Sequence, residues 1–334
     1  STRKGEALKD AFPVEPWTSR CENLYLTDRL YYQKVHKHLS KADLVIVHEG
    51  GTALINYELL LRRRLFGSSK VAFFGHGENT NIEQKITLKG AIKNYIARLP
   101  DWWFAYTDIS YRTVSALGFP ESRITVVNNS IDTRGFSTSL KSLDSKAVDE
   151  IRMSLNIQEN DTVGLFCGRL LKIKVGFLIE AAKRIRQNID NYQLIIIGRG
   201  DMEKEIQEFA RQSSWVHYVG PKFSEERLPY FRIANHFLMP GQVGLGILDA
   251  FSAGLPFFTT ECGIHSPEIA YLGNGENGYM TNNNVDDFSK IVSKCVGDSI
   301  VLNKMSDEAE KTAKKIDFES MVANFSSGIN KILL

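Results

Sequence analysis

Apolar residues along this chain come in two alternating rhythms. Short unbroken runs bounded by glycine read as buried strands, and the stretches after them repeat their apolar positions at helical spacing. "ADLVIVHEG" (42–50) is such a run, and "TALINYELLLRRRL" (52–65) follows with Leu54, Tyr57, Leu61 and Leu65 on one helical face. "KVAFFGHGENTN" (70–81) is a second strand entering a polar loop. A helix over roughly 87–99, a strand at "WWFAYT", a helix at "ISYRTVSALG" and a strand at "RITVVNNS" complete the first series. From 131 to 161 the pattern loosens. "DTRGFSTSLKSLDSKAVDE" is polar and serine-rich, and it reads as an interdomain linker.

A second series then begins. Strands are predicted at "TVGLFCGRL", "YQLIIIGRG", "WVHYVG" and "HFLMP", with helices at "VGFLIEAAKRIRQ" and "DMEKEIQEFARQ". In "MPGQVGLGILDAFSAGLPFFTTECGIHSPEI" (239–269), Ile247, Leu248, Phe251 and Leu255 mark a helical face. Gly254-Leu255-Pro256 stops that helix, and Phe257-Phe258-Thr259-Thr260 reads as a strand. Amphipathic helices fill 285–333. Repeated βα units with right-handed crossovers make parallel sheets covered on both faces. The expected fold class is α/β, with two doubly wound Rossmann-like domains facing across a cleft. Residues 1–135 form the first domain, 136–160 the linker and 161–315 the second domain. A last helix, 316–334, packs back on the first domain. Ligands of such sheets sit beyond the carboxyl ends of the strands, here in the cleft.

Bulk chemistry narrows the choice. The 334 residues exceed one typical domain. Lysine and arginine number 41 against 39 acidic residues, a balance that argues against a dedicated nucleic-acid binder. Cys21, Cys167, Cys262 and Cys295 are widely spaced with no C-x-x-C pair, which fits a reducing, cytoplasmic setting rather than a disulfide or zinc framework. No apolar run approaches the ~18 residues of a membrane span, and "STRKGEALKDAFPVEPW" lacks a signal peptide's apolar centre. Neither a Ser/His/Asp triad, a P-loop nor a cluster of metal ligands is evident.

Four strand ends carry candidate chemistry. "FCGRLLKIK" puts Gly168, Arg169 and Lys174 just past a strand. Two cations beside exposed amides suit a diphosphate, and a solvated basic helix start is the competing reading. "IIIGRGDMEKE" puts Gly198 and Gly200 at the next strand end. Glu203 stands where a dinucleotide fingerprint needs its third glycine, so a nicotinamide site is disfavoured. A tight turn accounts for these two glycines as well as a ligand does. Gly244 and Leu245 lead into a helix beginning near Gly246, where amides favour an anion. Asp249 in its first turn either complements the helix dipole or accepts two adjacent hydroxyls of a ribose. In the first series, His76 lies between Gly75 and Gly77 at a strand-to-loop switch.

Taken in order, "GRLLKIK", "LIIIGRG", "VHYVG" and "PGQVGLGILDAFSAGLP" resemble the C-terminal domain of GT-B glycosyltransferases, most closely the retaining enzymes of glycosyltransferase family 4. "FFGHG" and "ITVVNNSID" resemble that family's N-terminal domain, and the resemblance spans roughly 42–278. It implies transfer of a sugar from a nucleotide diphosphate sugar to a hydroxyl of a glycan or lipid-linked acceptor, with retention, and without a metal or other cofactor. Arg169 and Lys174 would hold the diphosphate, and Asp249 would stand for the family's ribose-binding glutamate. The Gly244 and Leu245 amides would meet the donor, and His76 would contact its sugar or phosphate near the reacting carbon. Gly168, Gly198, Gly200 and Gly241 would line the donor site. A nucleotide-sugar 2-epimerase of the same architecture, or a non-catalytic nucleotide-sugar binder, are the alternatives.

The chain departs from the family in two places. The two glutamates usually spaced eight positions apart are here Gly241 and Asp249, a "PG-x-VGL" variant met among polysaccharide-building enzymes. The first strand and glycine-rich loop of the family are not recognisable, and the helix-like "LTDRLYYQKVHKHLS" (26–40) stands ahead of the first clear strand. Finally, in "IEQKITLKGAIKNYIARLPDWW" (82–103), Leu88, Ile92, Tyr95, Ile96 and Leu99 share a helical face. Lys89, Lys93 and Arg98 flank it, and Arg62, Arg63 and Arg64 add charge nearby. Such a face either packs on the sheet or lies against an anionic membrane surface, in which case the protein is peripheral on the cytoplasmic side.

Overall fold

A computed structural model describes residues 15–39, 41–77 and 88–334, the side chains of Leu88 and Lys89 excepted. The chain divides into two compact units. The first runs to Val126 and takes in Asn324–Leu334, and the second is Val127–Ala323.

The first unit opens with an antiparallel hairpin of β1 (Asn23–Tyr25) and β2 (Tyr31–Gln33). The segment 26–40, expected to be helical, instead supplies β2 and one short helical turn, His36–Leu39. Tyr31, Tyr32 and Val35 pack on the core at spacings a helix would also allow, and pairing of Tyr31–Gln33 with Asn23–Tyr25 makes the segment a strand. Then β3 (Leu44–His48), β4 (Lys70–Gly75), β5 (Trp102–Ala105) and β6 (Ile124–Val126) form a four-stranded parallel sheet in sequential order. Helices at Leu54–Phe66, Leu88–Ile96 and Asp108–Ala116 make the connections. Every residue of β5 is buried, as a central parallel strand covered on both faces requires. On one face Trp103 meets Phe73 edge to face and donates its Nε1–H to the Ala97 carbonyl at 2.8 Å. On the other, Phe325 stacks on Phe104 with ring centroids 4.4 Å apart. Gly328 lies against Phe104 and Thr125 where no β-carbon would fit. The end of the last helix, Phe318–Leu333, thus belongs to this unit.

The second unit is a six-stranded parallel sheet, β12-β11-β10-β7-β8-β9. Its strands are β7 (Thr162–Cys167), β8 (Tyr192–Ile197), β9 (Val216–Tyr218), β10 (His236–Leu238), β11 (Phe257–Thr260) and β12 (Gly278–Thr281). The serine-rich stretch read as a linker is folded into this unit. It forms helices Thr133–Lys141 and Ser145–Ser154. Asp132 caps the first by accepting from the Gly135 amide at 2.7 Å, and Asp144 caps the second by accepting from Lys146 at 3.0 Å. Leu140, Val148 and Ile157 carry these elements into the core. Their polar surplus is simply the solvent face.

His236 lies fully buried on β10, 3.2 Å from the Tyr192 hydroxyl, with no acceptor for its Nδ1. Burial lowers its pKa from 6.5 to about 3. The unfolded chain takes up a proton near 6.5 that the folded chain refuses. Stability from this group is therefore complete above pH 6.5 and is lost as pH falls toward 3, by up to about 1.4 kcal/mol per pH unit. His217, also held down by burial, adds a smaller slope of the same sign. Denaturant titrations between pH 7 and 4 should show this decline. His236→Gln should flatten it, and an undiminished slope in that variant would contradict the neutral burial of His236.

Candidate active site

The sheet of the second unit reverses its winding between β7 and β10, which are neighbours although far apart in sequence. Beyond the carboxyl ends of such a pair lies the crevice where doubly wound sheets bind ligands. The loops leaving β7, β8 and β10 hold most of the residues singled out in the sequence.

Gly168 donates its amide to Ile197 at 3.0 Å, so the β7 and β8 loops run close together. Gly198 adopts φ +149°, and a β-carbon there would run into the Gly168 carbonyl oxygen. At Gly200 a β-carbon would stand 2.5 Å from the Leu170 oxygen. The approach of two backbones therefore accounts for both glycines. Arg169 is exposed, and among the described residues no carboxylate pairs with it.

Lys174 lies in the first turn of the helix Lys172–Asn188 and is 8% exposed. Its ammonium donates to the Met239 thioether sulfur at 3.2 Å and pairs with no carboxylate among the described residues. Burial pushes its pKa down. Gly241 packs beside it. A β-carbon on Gly241 would meet Lys174 Cγ at 3.5 Å, and its φ of +83° lies in the left-handed region. The loop is pinned from below. Thr260 Oγ1 accepts from the Gly241 amide at 3.0 Å, and Thr259 Oγ1 donates to the Gly241 carbonyl at 3.2 Å. His265 holds the segment two residues on, accepting from Val243 through Nδ1 at 3.2 Å while its Nε2 faces the Thr260 carbonyl at 3.0 Å. That arrangement requires the Nε2–H tautomer, and burial lowers the ring's pKa in agreement with a neutral imidazole.

Past this pinned segment the backbone is bare. Among the described residues the amides of Gly244, Leu245 and Gly246 donate to no acceptor. They precede and open the short helix Gly246–Ser252. A β-carbon on Gly244 would find nothing nearer than Ser266 Oγ at 3.9 Å, and one on Gly246 nothing within 4 Å. Unlike Gly198, these glycines are not demanded by protein packing.

Asp249 occurs three residues further on, and its carboxylate is already engaged. Arg227 grips it with both terminal nitrogens, at 2.6 and 2.8 Å. The pair is mostly buried. Burial pushes the Asp249 carboxyl up and the guanidinium partly offsets this. The Cys167 thiol lies beside the pair, and burial raises its pKa to about 11, so it is a neutral neighbour.

His76 belongs to the first unit, at the end of β4. Its ring meets Tyr106 edge-on at 4.5 Å, and His48 lies 6.5 Å away. Glu49 accepts from the Gly77 amide at 2.6 Å. His48, Glu49, Asn56, Tyr57, His76 and Lys93 help to line a hollow of about 180 Å³.

Known proteins share this framework. The family described as glycosyl transferases group 1 matches residues 161–298. The amylovoran biosynthesis glycosyltransferase AmsK of Erwinia amylovora is 24% identical over 66% of this chain and 53% of its own length. The GDP-mannose-dependent alpha-(1-6)-phosphatidylinositol monomannoside mannosyltransferase of Mycobacterium tuberculosis is 24% identical over 69% of this chain and 61% of its own. The matched residues lie within the second unit. The crystal structure of Anabaena Alr3699/HepE in complex with UDP superposes with a TM-score of 0.70 at 15% identity, over 89% of this chain and 81% of that one. The fold is accordingly α/β of the GT-B class. The chain spans a little over half the length of the two curated relatives.

Within the matched region the structure brings Gly168, Lys174 and Gly241 together around Met239, with the bare amides and Asp249 following on the same segment. It assigns Gly198 and Gly200 a packing role that is sufficient without a ligand. His76 belongs to the other unit. Sequence reasoning did not find Arg227, which lies in the unremarkable charged run "FSEERLPYF", or His265, whose role is purely in three dimensions. His48 and Glu49 were within reach, because they end a strand next to the one that carries His76.

The two kinds of glycine should part company experimentally. Gly198→Ala should cost about 2–4 kcal/mol in a denaturant titration, from strain and overlap. Gly244→Ala should be neutral or gain about 0.4–1 kcal/mol. Equal losses in both variants would contradict the placement of the Gly244 segment.

Proposed function

We propose that this chain is a retaining glycosyltransferase that moves a sugar from a nucleotide diphosphate sugar to a hydroxyl of a glycan or lipid-linked acceptor. The observation that carries the reading is Lys174, a buried cation lacking a counter-charge among the described residues, next to a run of amides unpaired among them. Leaving a buried charge unpaired costs several kcal/mol, and a diphosphate supplies what is missing. The Lys174 ammonium and the amides of Gly244, Leu245 and Gly246 would hold it, and the exposed Arg169 would close over it. Asp249 would accept from the ribose. The nucleotides named for the relatives, GDP-mannose in one and UDP in the other, point to the same ligand class.

In this reading the bond between the anomeric carbon and the diphosphate oxygen breaks as the acceptor oxygen bonds to the same face of that carbon. The acceptor's proton passes to a phosphate oxygen, and a nucleoside diphosphate leaves. Protein cations balance the charge growing on the leaving group, so turnover needs no metal. His76 would contact the transferred sugar or its phosphate. Gly241, where the family places a glutamate, leaves the sugar hydroxyls one partner short, and its left-handed φ suits glycine rather than glutamate. A 2-epimerase would instead return an isomerised donor and no transfer product.

Assay of UDP-, GDP- and dTDP-sugars with EDTA present should give transfer or slow donor hydrolysis with one of them. Lys174→Ala should reduce it by about 10- to 100-fold, the worth of a charged hydrogen bond. Full turnover in Lys174→Ala, or an isomerised donor as product, would overturn the proposal.

The acceptor side includes a membrane flank. No helix among the described residues is long and apolar enough to cross a membrane. Of the stripe on helix Leu88–Ile96, Ile96 packs on the core while Ile92 and Tyr95 are exposed. Ile82, Lys85 and Ile86 lie outside the described residues, as do the side chains of Leu88 and Lys89. Arg62 pairs with Glu58 and Arg63 with Asp101. Arg64, Arg98 and Arg123 line a hollow of about 500 Å³ and pair with no carboxylate among the described residues. Exposed Leu65 and Phe66 adjoin Arg64 in the helix Leu54–Phe66. Each cation near an anionic bilayer contributes about 1 kcal/mol. The protein should co-sediment with anionic vesicles at low salt and release at high salt, with little binding to neutral vesicles. Equal recovery with both lipids, or none with either, would remove the membrane flank and leave the transferase reading standing.

A further inference from the structure

We infer that Arg227 is the positioning residue of the nucleotide site: it fixes Asp249 as an ionised acceptor and thereby sets the protein's preference for a ribose over a deoxyribose. The inference rests on the proposed reading of Asp249 and adds to it a residue outside the recognised motifs.

Three observations carry it. The grip is fork to fork, with Nη1 to Oδ2 at 2.6 Å and Nη2 to Oδ1 at 2.8 Å, a geometry that leaves the carboxylate no freedom to rotate. The guanidinium is itself immobilised. Its Cζ lies 5.1 Å from the centroid of the Phe136 ring and 5.7 Å from that of Phe231. Its Nε is buried and meets no acceptor among the described residues. An arginine so placed forgoes one hydrogen bond in order to present both terminal nitrogens to Asp249.

The charged and titratable groups facing Asp249 are Arg227 and the Cys167 thiol. Cys167 is neutral, so Arg227 is the group that keeps the carboxylate charged in a buried place. Burial alone drives this carboxyl toward protonation. Without Arg227 it would become protonated or turn away, and in either case it would lose acceptor capacity toward the ribose hydroxyls. Ionisation would return as pH rises.

The test uses the full chain and four probes: UDP, GDP and their 2′-deoxy counterparts. Wild type should bind UDP or GDP more tightly than its deoxy form, with little change between pH 6.5 and 9. Arg227→Met keeps an unbranched apolar stem beside the two phenylalanines. At pH 6.5 it should lose about tenfold in ribonucleotide affinity and most of the ribose preference, and at pH 9 it should recover part of both. Arg227→Lys retains a charge and should fall between the two, which keeps the test decisive if the methionine variant folds poorly. Undiminished ribose preference in Arg227→Lys and Arg227→Met, with pH-independent affinity, would overturn the role of Arg227 alone. A wild type that binds neither diphosphate would overturn the nucleotide-site reading and this inference with it. Asp249→Asn separates the two further: it should abolish the ribose preference at every pH, and a preserved preference would remove Asp249 from the site whatever Arg227 does.

Discussion

A single buried ammonium organises the candidate site. Lys174 is carried into the crevice by the first turn of the helix after β7, and it touches a thioether where a counter-ion would be expected. Desolvating a cation is costly, and a soft sulfur acceptor offsets little of that cost. Nearby features have the same polarity. Among the described residues the amides of Gly244, Leu245 and Gly246 are donors without acceptors, and Arg169 is a cation without a partner. Acidic groups that might neutralise the pocket are committed elsewhere: Asp249 to Arg227, and Glu268 to Asn129 at 2.7 Å. The local field is thus built to receive an anion.

The sheet explains why these groups converge. β7 and β10 are far apart in sequence and adjacent in space, so the loops leaving them share the crevice at the reversal of winding. Gly168 and Gly198 let two loop backbones pack at van der Waals contact, and Thr259, Thr260 and His265 tie down the segment from Gly241 to Val243. Rigidity below and bare amides above is the arrangement of a preorganised anion site, in which little ordering remains to be done on binding.

Much of this was legible in the chain. Alternation of apolar runs and helical spacing located both parallel sheets, because buried parallel strands are continuous apolar runs that periodicity detects directly. The strand ends holding Gly168, Lys174, Gly244 and His76 followed from those positions. Differences arose where polarity was read as a linker or periodicity was short. Residues 136–160 look like a linker because most of their side chains face water, yet two aspartate caps and Leu140, Val148 and Ile157 suffice to fold them. Residues 26–40 contain too few apolar positions to distinguish a period of two from one of 3.6. Arg227 was invisible for another reason. Its meaning lies in a partner 22 positions away and in two rings beside it, none of which leaves a local signature. Gly198 and Gly244 are indistinguishable in sequence, and only the surroundings of a missing β-carbon separate them.

The account's central claim is that Lys174 and the adjacent amides await a diphosphate. Calorimetric titration of the wild-type protein with UDP and GDP, each beside its parent nucleoside, tests it most directly. The account predicts that at least one diphosphate binds, and that its nucleoside binds about 10- to 100-fold more weakly, the share expected of charged hydrogen bonds. A nucleoside that binds as tightly as its diphosphate would contradict it.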